Sequence, residues 1–141
     1  MHAKRLNWIA VVMMSILLPW GATGCKAPEP EDTTKKKGPP PCPANFDAKQ
    51  HTDGLTCICP KGKDKGKIWG AGLYMTGSAT CTAAIHAGAI TKTKGGKVEI
   101  KYAGGCKAYK GTTKNGITSQ FWSGNVASFY FAGHGDGRCD E

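Results

Sequence analysis

YMTGSATCTAAIHAG, residues 74–88, carries a helix start, a helix stop, a cysteine and a buriable face in fifteen positions, and the rest of the chain is organised around it. Ser78 stands where an N-cap belongs, its hydroxyl placed to accept from an amide two or three residues on. Gly88 supplies the left-handed conformation that stops a helix. The predicted helix is about nine residues long, too short to hold alone, so its stability has to come from packing. Cys81, Ala84, Ile85 and Gly88 fall at i, i+3, i+4 and i+7 and define one narrow face. Ala83, Ala84 and Ala87 let other backbone approach from several sides. Such a helix is suited to being wrapped by the remaining chain.

Through Tyr74, Ser78, Cys81, Ala83, Ala84, His86 and Gly88 the stretch resembles the YxxxSxxCxAAxHxG signature of the LCCL domain, an extracellular module. The resemblance continues upstream in Ile68-Trp69-Gly70. Downstream it takes in Gly95-Gly96, Tyr109-Lys110-Gly111, Asn115-Gly116-Ile117 with Ser119, and Ser128-Phe129-Tyr130-Phe131, so that it covers roughly residues 42–132. It implies an α+β fold: a single small disulfide-stabilised domain in which one central short helix is wrapped by irregular antiparallel β-strands. The motif residues then have structural roles. Spacing alone implies only a small α+β domain. Members of the family are linked to lipopolysaccharide recognition and host defence in animals, which implies a binding role.

The chain has 141 residues with 20 glycines, 8 prolines and 7 cysteines. Without its ends, about one hundred residues remain, enough for one domain with a modest core that covalent staples would help. Its formal net charge is +9. From Cys25 onward, 17 Lys and Arg stand against 10 Asp and Glu. Such a balance favours anionic partners, and the sign of the charge does not choose among phosphate-bearing lipid, acidic polysaccharide and nucleic acid.

Lys4 and Arg5 precede an apolar run from Trp8 to Trp20, then Gly21-Ala22-Thr23-Gly24 and Cys25, which reads as a secretory signal over residues 1–24. The run is too short for a permanent transmembrane helix, which needs about 20 apolar residues. Small residues directly before a cysteine resemble a bacterial lipobox, with Ala22 in place of its usual leucine. Cys25 is then the lipid anchor of an envelope lipoprotein, held to the membrane by its acyl chains. Lys26 in the next position favours the outer membrane over the inner. Ala22-Thr23-Gly24 also fits an ordinary signal peptidase, which would release a soluble secreted protein. Residues 26–41, KAPEPEDTTKKKGPPP, hold no large apolar side chain and read as a disordered linker. In it Lys35-Lys36-Lys37 either touch anionic headgroups or keep the linker solvated. The domain itself is expected over residues 42–141.

Seven cysteines are an odd number, and a lipidated Cys25 restores parity. Cys42, Cys57, Cys59, Cys81, Cys106 and Cys139 remain for disulfides, and the residues alone leave all pairings open. The family resemblance implies Cys42 with Cys57 and Cys59 with Cys81. Cys106 and Cys139 lie outside the family set and are left for a third bond. Only Ile58 separates Cys57 from Cys59, a narrower gap than in family members, and two bonds leaving opposite faces of an extended strand are expected there. A zinc site built on Cys57, Cys59 and His51 or His86 lacks the usual CxxC spacing, and export favours oxidation. No metal and no cofactor are expected.

Lys61, Lys63, Lys65 and Lys67 recur at every second position of a glycine-containing loop with nothing apolar to bury. An extended loop projects all four ammonium groups to one side, a seat for phosphates or uronates; otherwise the loop is a solvated connector. Residues 68–74 are expected to form one strand with Trp69, Ala71 and Leu73 on one face and Gly70 and Gly72 on the other. Strict alternation over residues 97–102 predicts a half-buried strand with Val98, Ile100 and Tyr102 inward. Lys94-Gly95-Gly96 and Lys114-Asn115-Gly116 read as turns, the second leading into a strand over residues 117–122. The last strand is expected over residues 126–132, with Trp69, Trp122 and Tyr130 in the core. The tail from Gly133 relies on Cys139 for its shape.

His86 is expected to be buried and bonded to a backbone carbonyl, because no nucleophile stands beside it. The pairs His51 with Asp53 and His134 with Asp136 form no triad. These features favour a non-catalytic, envelope-anchored extracytoplasmic domain binding anionic glycan or lipid, lipopolysaccharide-like, through Lys61, Lys63, Lys65 and Lys67. Nucleic acid is not an expected partner of an exported chain. The alternatives are a structural or assembly protein contacting another envelope protein, and, further off, an envelope hydrolase centred on His86.

Overall fold

The computed structural model describes residues 38–139; the leader, Cys25 and Lys35-Lys36-Lys37 lie outside the described residues. In chain order the elements are β1 (Leu55–Cys59), β2 (Gly70–Ala71), β3 (Leu73–Met75), α1 (Thr80–Ala87), β4 (Gly96–Tyr109), β5 (Thr113–Lys114), β6 (Ile117–Thr118) and β7 (Trp122–Phe131). Five strands form one antiparallel sheet in the order β1-β4-β7-β3-β2, and β5 with β6 forms a separate hairpin. Among the described residues the fold is therefore the expected α+β type, with one short helix and antiparallel strands.

Helix α1 is eight residues long and is closed in on nearly all sides. Thr80, Thr82, Ala83, Ala84, Ile85 and His86 are all buried, so the single apolar stripe expected from the sequence widens to most of the circumference. Small side chains make this possible, since they let neighbouring backbone come close. Asn45 bridges to Ala79, and the Thr80 amide donates to the Ala44 carbonyl at 2.9 Å. At the other end Gly88 takes φ 82°. The Gly88 and Ala89 amides donate back to Ile85 and Ala84, each at 2.9 Å, closing the last turn as a Schellman motif.

The helix start departs from expectation. Ala79 occupies the N-cap and no side chain caps the helix. The fully buried Ser78 hydroxyl accepts from the Trp69 amide at 3.1 Å. A tertiary donor has taken the oxygen that the local sequence reserves for the first turn.

Residues 68–74 also differ from the single strand expected. They double back at Gly72 into the β2–β3 hairpin, pairing Gly70 with Tyr74. Gly70 adopts φ 102°, and a Cβ there would sit 2.1 Å from the Leu73 carbonyl oxygen, so the tight return requires glycine. The Trp69 and Tyr130 side chains are half-buried against the edge of a core cluster, and Trp122, expected in the core, is 39% exposed.

Strand β4 runs on past the expected end at Tyr102 because its register slips between Ala103 and Cys106. The bulge bends one strand so that it serves two clusters. Val98 and Ile100 join Phe46, Tyr74, Ala83, Ala84, Phe129 and Phe131 in the main core. Cys106 and Tyr109 pack with Leu73 and Met75 in a second one. Tyr102, expected inward, is 41% exposed and lies beyond the last β1–β4 pair, Leu55 with Ile100. Asn115 (φ 50°) and Gly116 (φ 74°) form the two-residue turn of the β5–β6 hairpin. The expected strand over residues 117–122 is broken, with β6 ending at Thr118 and β7 starting at Trp122.

Three disulfides staple the described residues: Cys42 to Cys57, Cys59 to Cys81 and Cys106 to Cys139. Cys57 and Cys59 both point inward from β1, at 0% and 1% exposure. The expectation of opposite faces is thus corrected: residues two apart on a strand share a face. Pro40 and Pro41, the last residues read as linker, lie alongside β1, where the Ile58 amide donates to Pro40 and the Cys42 amide to Ile58.

Candidate ligand-binding cleft

The loop after β1 has no apolar side chain of its own to bury, so its shape depends on attachments. The Gly62 amide donates to the Lys92 carbonyl at 2.9 Å, and Asp64 forms an ion pair with Lys92. That bond to Lys92 holds the Asp64 carboxyl below the usual carboxylate range. At Gly66 the loop presses on the helix start, where a Cβ would stand 2.3 Å from that of Ala79. The Ala79 amide then donates to the Lys67 carbonyl at 3.0 Å.

Fixed in this way, the loop forms one wall of a cleft of about 570 Å³. Lys63, Lys65 and Lys67 line it. Opposite stand Pro41, Pro43 and Asn45 from the incoming chain, with Ala79, Cys81 and Thr82 of the helix start and Trp69 completing the lining. Lys61 is exposed but does not line the cleft, so three of the four alternating lysines are brought together and the fourth is not. Among the described residues no acidic side chain lines the cleft. The volume falls in the range of small-ligand sites, about 300–1,000 Å³.

The sulfurs of Cys42, Cys59 and Cys81 lie within 4.8 Å of one another beside this cleft. All three are in disulfides and offer no thiolate for a metal.

His86 is elsewhere and fully buried. Its Nε2 lies 3.2 Å from both the carbonyl and the hydroxyl oxygen of Thr112; the carbonyl can only accept, so Nε2 carries the hydrogen. Nδ1 is then an acceptor, and the Tyr74 hydroxyl donates to it at 2.7 Å. Asn115 Nδ2 donates to the His86 carbonyl at 3.0 Å. Burial lowers the His86 pKa and pushes the Tyr74 hydroxyl up to about 12. The motif positions Tyr74 and His86 thus tie the β2–β3 hairpin, the helix and the segment before β5 together, and Ala83 and Ala84 pack in the core. His51 lies against the Phe46 ring, and Asp136 is bonded to Arg138 instead of His134. Sequence reasoning missed the wall formed by residues 41–45: Pro41 read as the end of the linker, and nothing local marks residues 42–45 as cleft lining. It also missed Thr112 and Asn115 as partners of His86.

Among the described residues no helix is long and apolar enough to cross a membrane. The LCCL domain model matches residues 26–129. Vitrin of Mus musculus is 38% identical over 63 residues, covering 43% of this chain and 10% of that protein. Cysteine-rich secretory protein LCCL domain-containing 2 of Homo sapiens is 34% identical over 62 residues, 41% of this chain and 12% of its own length. Clotting factor C of Tachypleus tridentatus is 36% identical over 75 residues, 52% and 7% respectively. The matched stretch therefore spans about a tenth of these relatives. With the family model covering most of its length, the chain belongs to the LCCL domain family.

Proposed function

We propose that this is a non-catalytic, extracytoplasmic binding module whose cleft takes the anionic group of a glycan or lipid, lipopolysaccharide-like, at Lys63, Lys65 and Lys67. The observation that carries this reading is three lysines held on one wall of a cleft without an acidic side chain among its described lining. Asp64, the one acid within the loop, is already engaged by Lys92. His86 is sealed in the core with both ring nitrogens bonded, which leaves it no access to a substrate.

Residues 1–24 act in this reading as a lipoprotein signal, Cys25 as the lipid anchor, and residues 26–41 as the linker to a domain over residues 42–141. Three disulfides favour an oxidising compartment outside the cytoplasm, and they leave Cys25 outside their set. Intact-mass measurement of the mature protein reports the cleavage site and the acyl chains together.

Ligand binding is tested by titration with lipopolysaccharide and with a sulfated oligosaccharide at low and high salt. Lys63→Gln/Lys65→Gln/Lys67→Gln should weaken binding by about tenfold or more at low salt, since each charge contributes up to about 1 kcal/mol. Binding indifferent to both salt and the substitutions would overturn the reading.

A further inference from the structure

The cleft does not end at its lysines. Trp69 lines it, and the Trp69 ring meets Trp122 edge-on with centroids 6.0 Å apart. Backbone pairing explains the proximity. The Gln120 amide donates to Ile68 at 2.8 Å and the Gly70 amide to Gln120 at 3.2 Å, so residues 68–70 run beside Gln120 and bring Phe121 and Trp122 next to Trp69. Phe121 is 63% exposed and Trp122 39%, whereas among the described residues Phe46, Tyr74, Tyr109, Phe129 and Phe131 are buried. On the far side Tyr109 pairs with Trp122, and Gly111 lies so close to residues 119–121 that a Cβ would stand 2.9 Å from the Phe121 nitrogen. Exposed Lys110 directly follows Tyr109, the residue paired with Trp122. The sequence from Ile100 to Gly135 contains no Asp or Glu, so nothing in that stretch offsets these charges.

We propose that the cleft lysines and this aromatic strip form one face that docks on a bilayer carrying anionic phospholipids, with Trp69, Phe121 and Trp122 at headgroup depth. Lysines beside tryptophan and phenylalanine are the combination that favours an anionic membrane interface. A soluble glycan seated in the cleft would leave Phe121 in water, whereas a continuous anionic surface can meet the cleft lysines and the exposed aromatics together. Pro41 lines the same cleft, so the chain that leads back to Cys25 joins the domain at this face. The inference rests on the anion-binding reading of the cleft and adds the nature of the surface that supplies the anions.

The test uses the whole chain with Trp8→Phe and Trp20→Phe, which leaves Trp69 and Trp122 as its tryptophans. Vesicles contain phosphatidylcholine with or without phosphatidylglycerol, and their acyl chains are brominated to quench tryptophan at shallow depth. Quenching is expected on the anionic vesicles and not on the neutral ones. Lys63→Gln/Lys65→Gln/Lys67→Gln should lower the vesicle binding constant, read from quenching against lipid concentration, by about fivefold per lysine, from the attraction of a basic residue to an anionic leaflet. Phe121→Ser, at an exposed position, should reduce vesicle quenching yet leave binding of a sulfated oligosaccharide unchanged. Tryptophans that stay unquenched on anionic vesicles, in a chain that still binds the oligosaccharide in a salt-dependent way, would overturn the docking and spare the cleft. Loss of both signals in the unsubstituted chain would overturn both.

Discussion

Replacing Tyr74 by Phe removes one hydroxyl and keeps the ring. That ring packs against Phe129 and Phe131 at centroid distances of 5.8 and 6.0 Å, contacts that Phe retains. What is lost is the donor to His86 Nδ1, an atom on a side chain with no exposure to solvent. The imidazole cannot turn to compensate, because Nε2 is held at Thr112. An unpaired buried acceptor costs about 1–3 kcal/mol. At 25 °C this lowers the ratio of folded to unfolded chains by about 5- to 150-fold. Guanidinium unfolding with the disulfides intact should show a lower midpoint and an unchanged slope, since the surface exposed on unfolding is the same. A Tyr74→Phe protein as stable as the parent would refute the assignment of this bond as a tie between hairpin and helix.

Burial depresses the His86 pKa below its ordinary 6.5. As pH falls through that value the unfolded chain takes up a proton that the native state does not. The His86 contribution to stability is thus fully present above pH 6.5 and is lost as pH falls below it. Unfolding midpoints measured down the pH scale should decline less steeply for His86→Gln than for the parent between pH 6.5 and the carboxylate range. Ser78→Ala should cost about 1 kcal/mol by depriving the Trp69 amide of its acceptor. Hydrogen exchange should speed up at Trp69 and not in the first turn of α1, whereas loss of an N-cap would do the reverse.

The legible parts of the fold are those decided by neighbouring residues. Gly88 stops the helix because a positive φ there favours glycine, and Asn115-Gly116 turns the chain for the same reason. Val98 and Ile100 point inward as their alternation requires. The misread parts are decided by distant chain. Gly70 looks like a flat glycine face until Leu73 folds back over it. Ser78 looks like a cap until Trp69 offers a competing amide. The alternation of β4 looks complete at Tyr102, yet the strand continues through a bulge because Cys106 and Tyr109 have a second cluster to fill. For the cleft, the lysine alternation was visible, but its opposite wall was not. Residues 41–45 acquire their place from β1 and the helix start, not from any local pattern.

Binding at such a cleft depends on how little must be ordered when a ligand arrives. Three lysines on a short polar loop repel one another, and a loop with no apolar anchor would spread them apart. Here the loop leaves β1 immediately after Cys59, whose disulfide reaches Cys81 in the helix beside the cleft. It is held in the middle by Lys92, pressed at Gly66 against Ala79, and tied at Lys67 to the Ala79 amide. Cys42 in the facing wall is bonded to Cys57 on the same strand. The chain at Cys42 and the helix start at Cys81 are thereby fixed to β1 by disulfides two residues apart. The lysine loop is held by its contacts with that helix start and with Lys92, so the repulsion among the lysines is balanced during folding instead of during binding. The narrow spacing of Cys57 and Cys59 suits this arrangement, since one strand face anchors both the Cys42 segment and the helix start beside a single cleft.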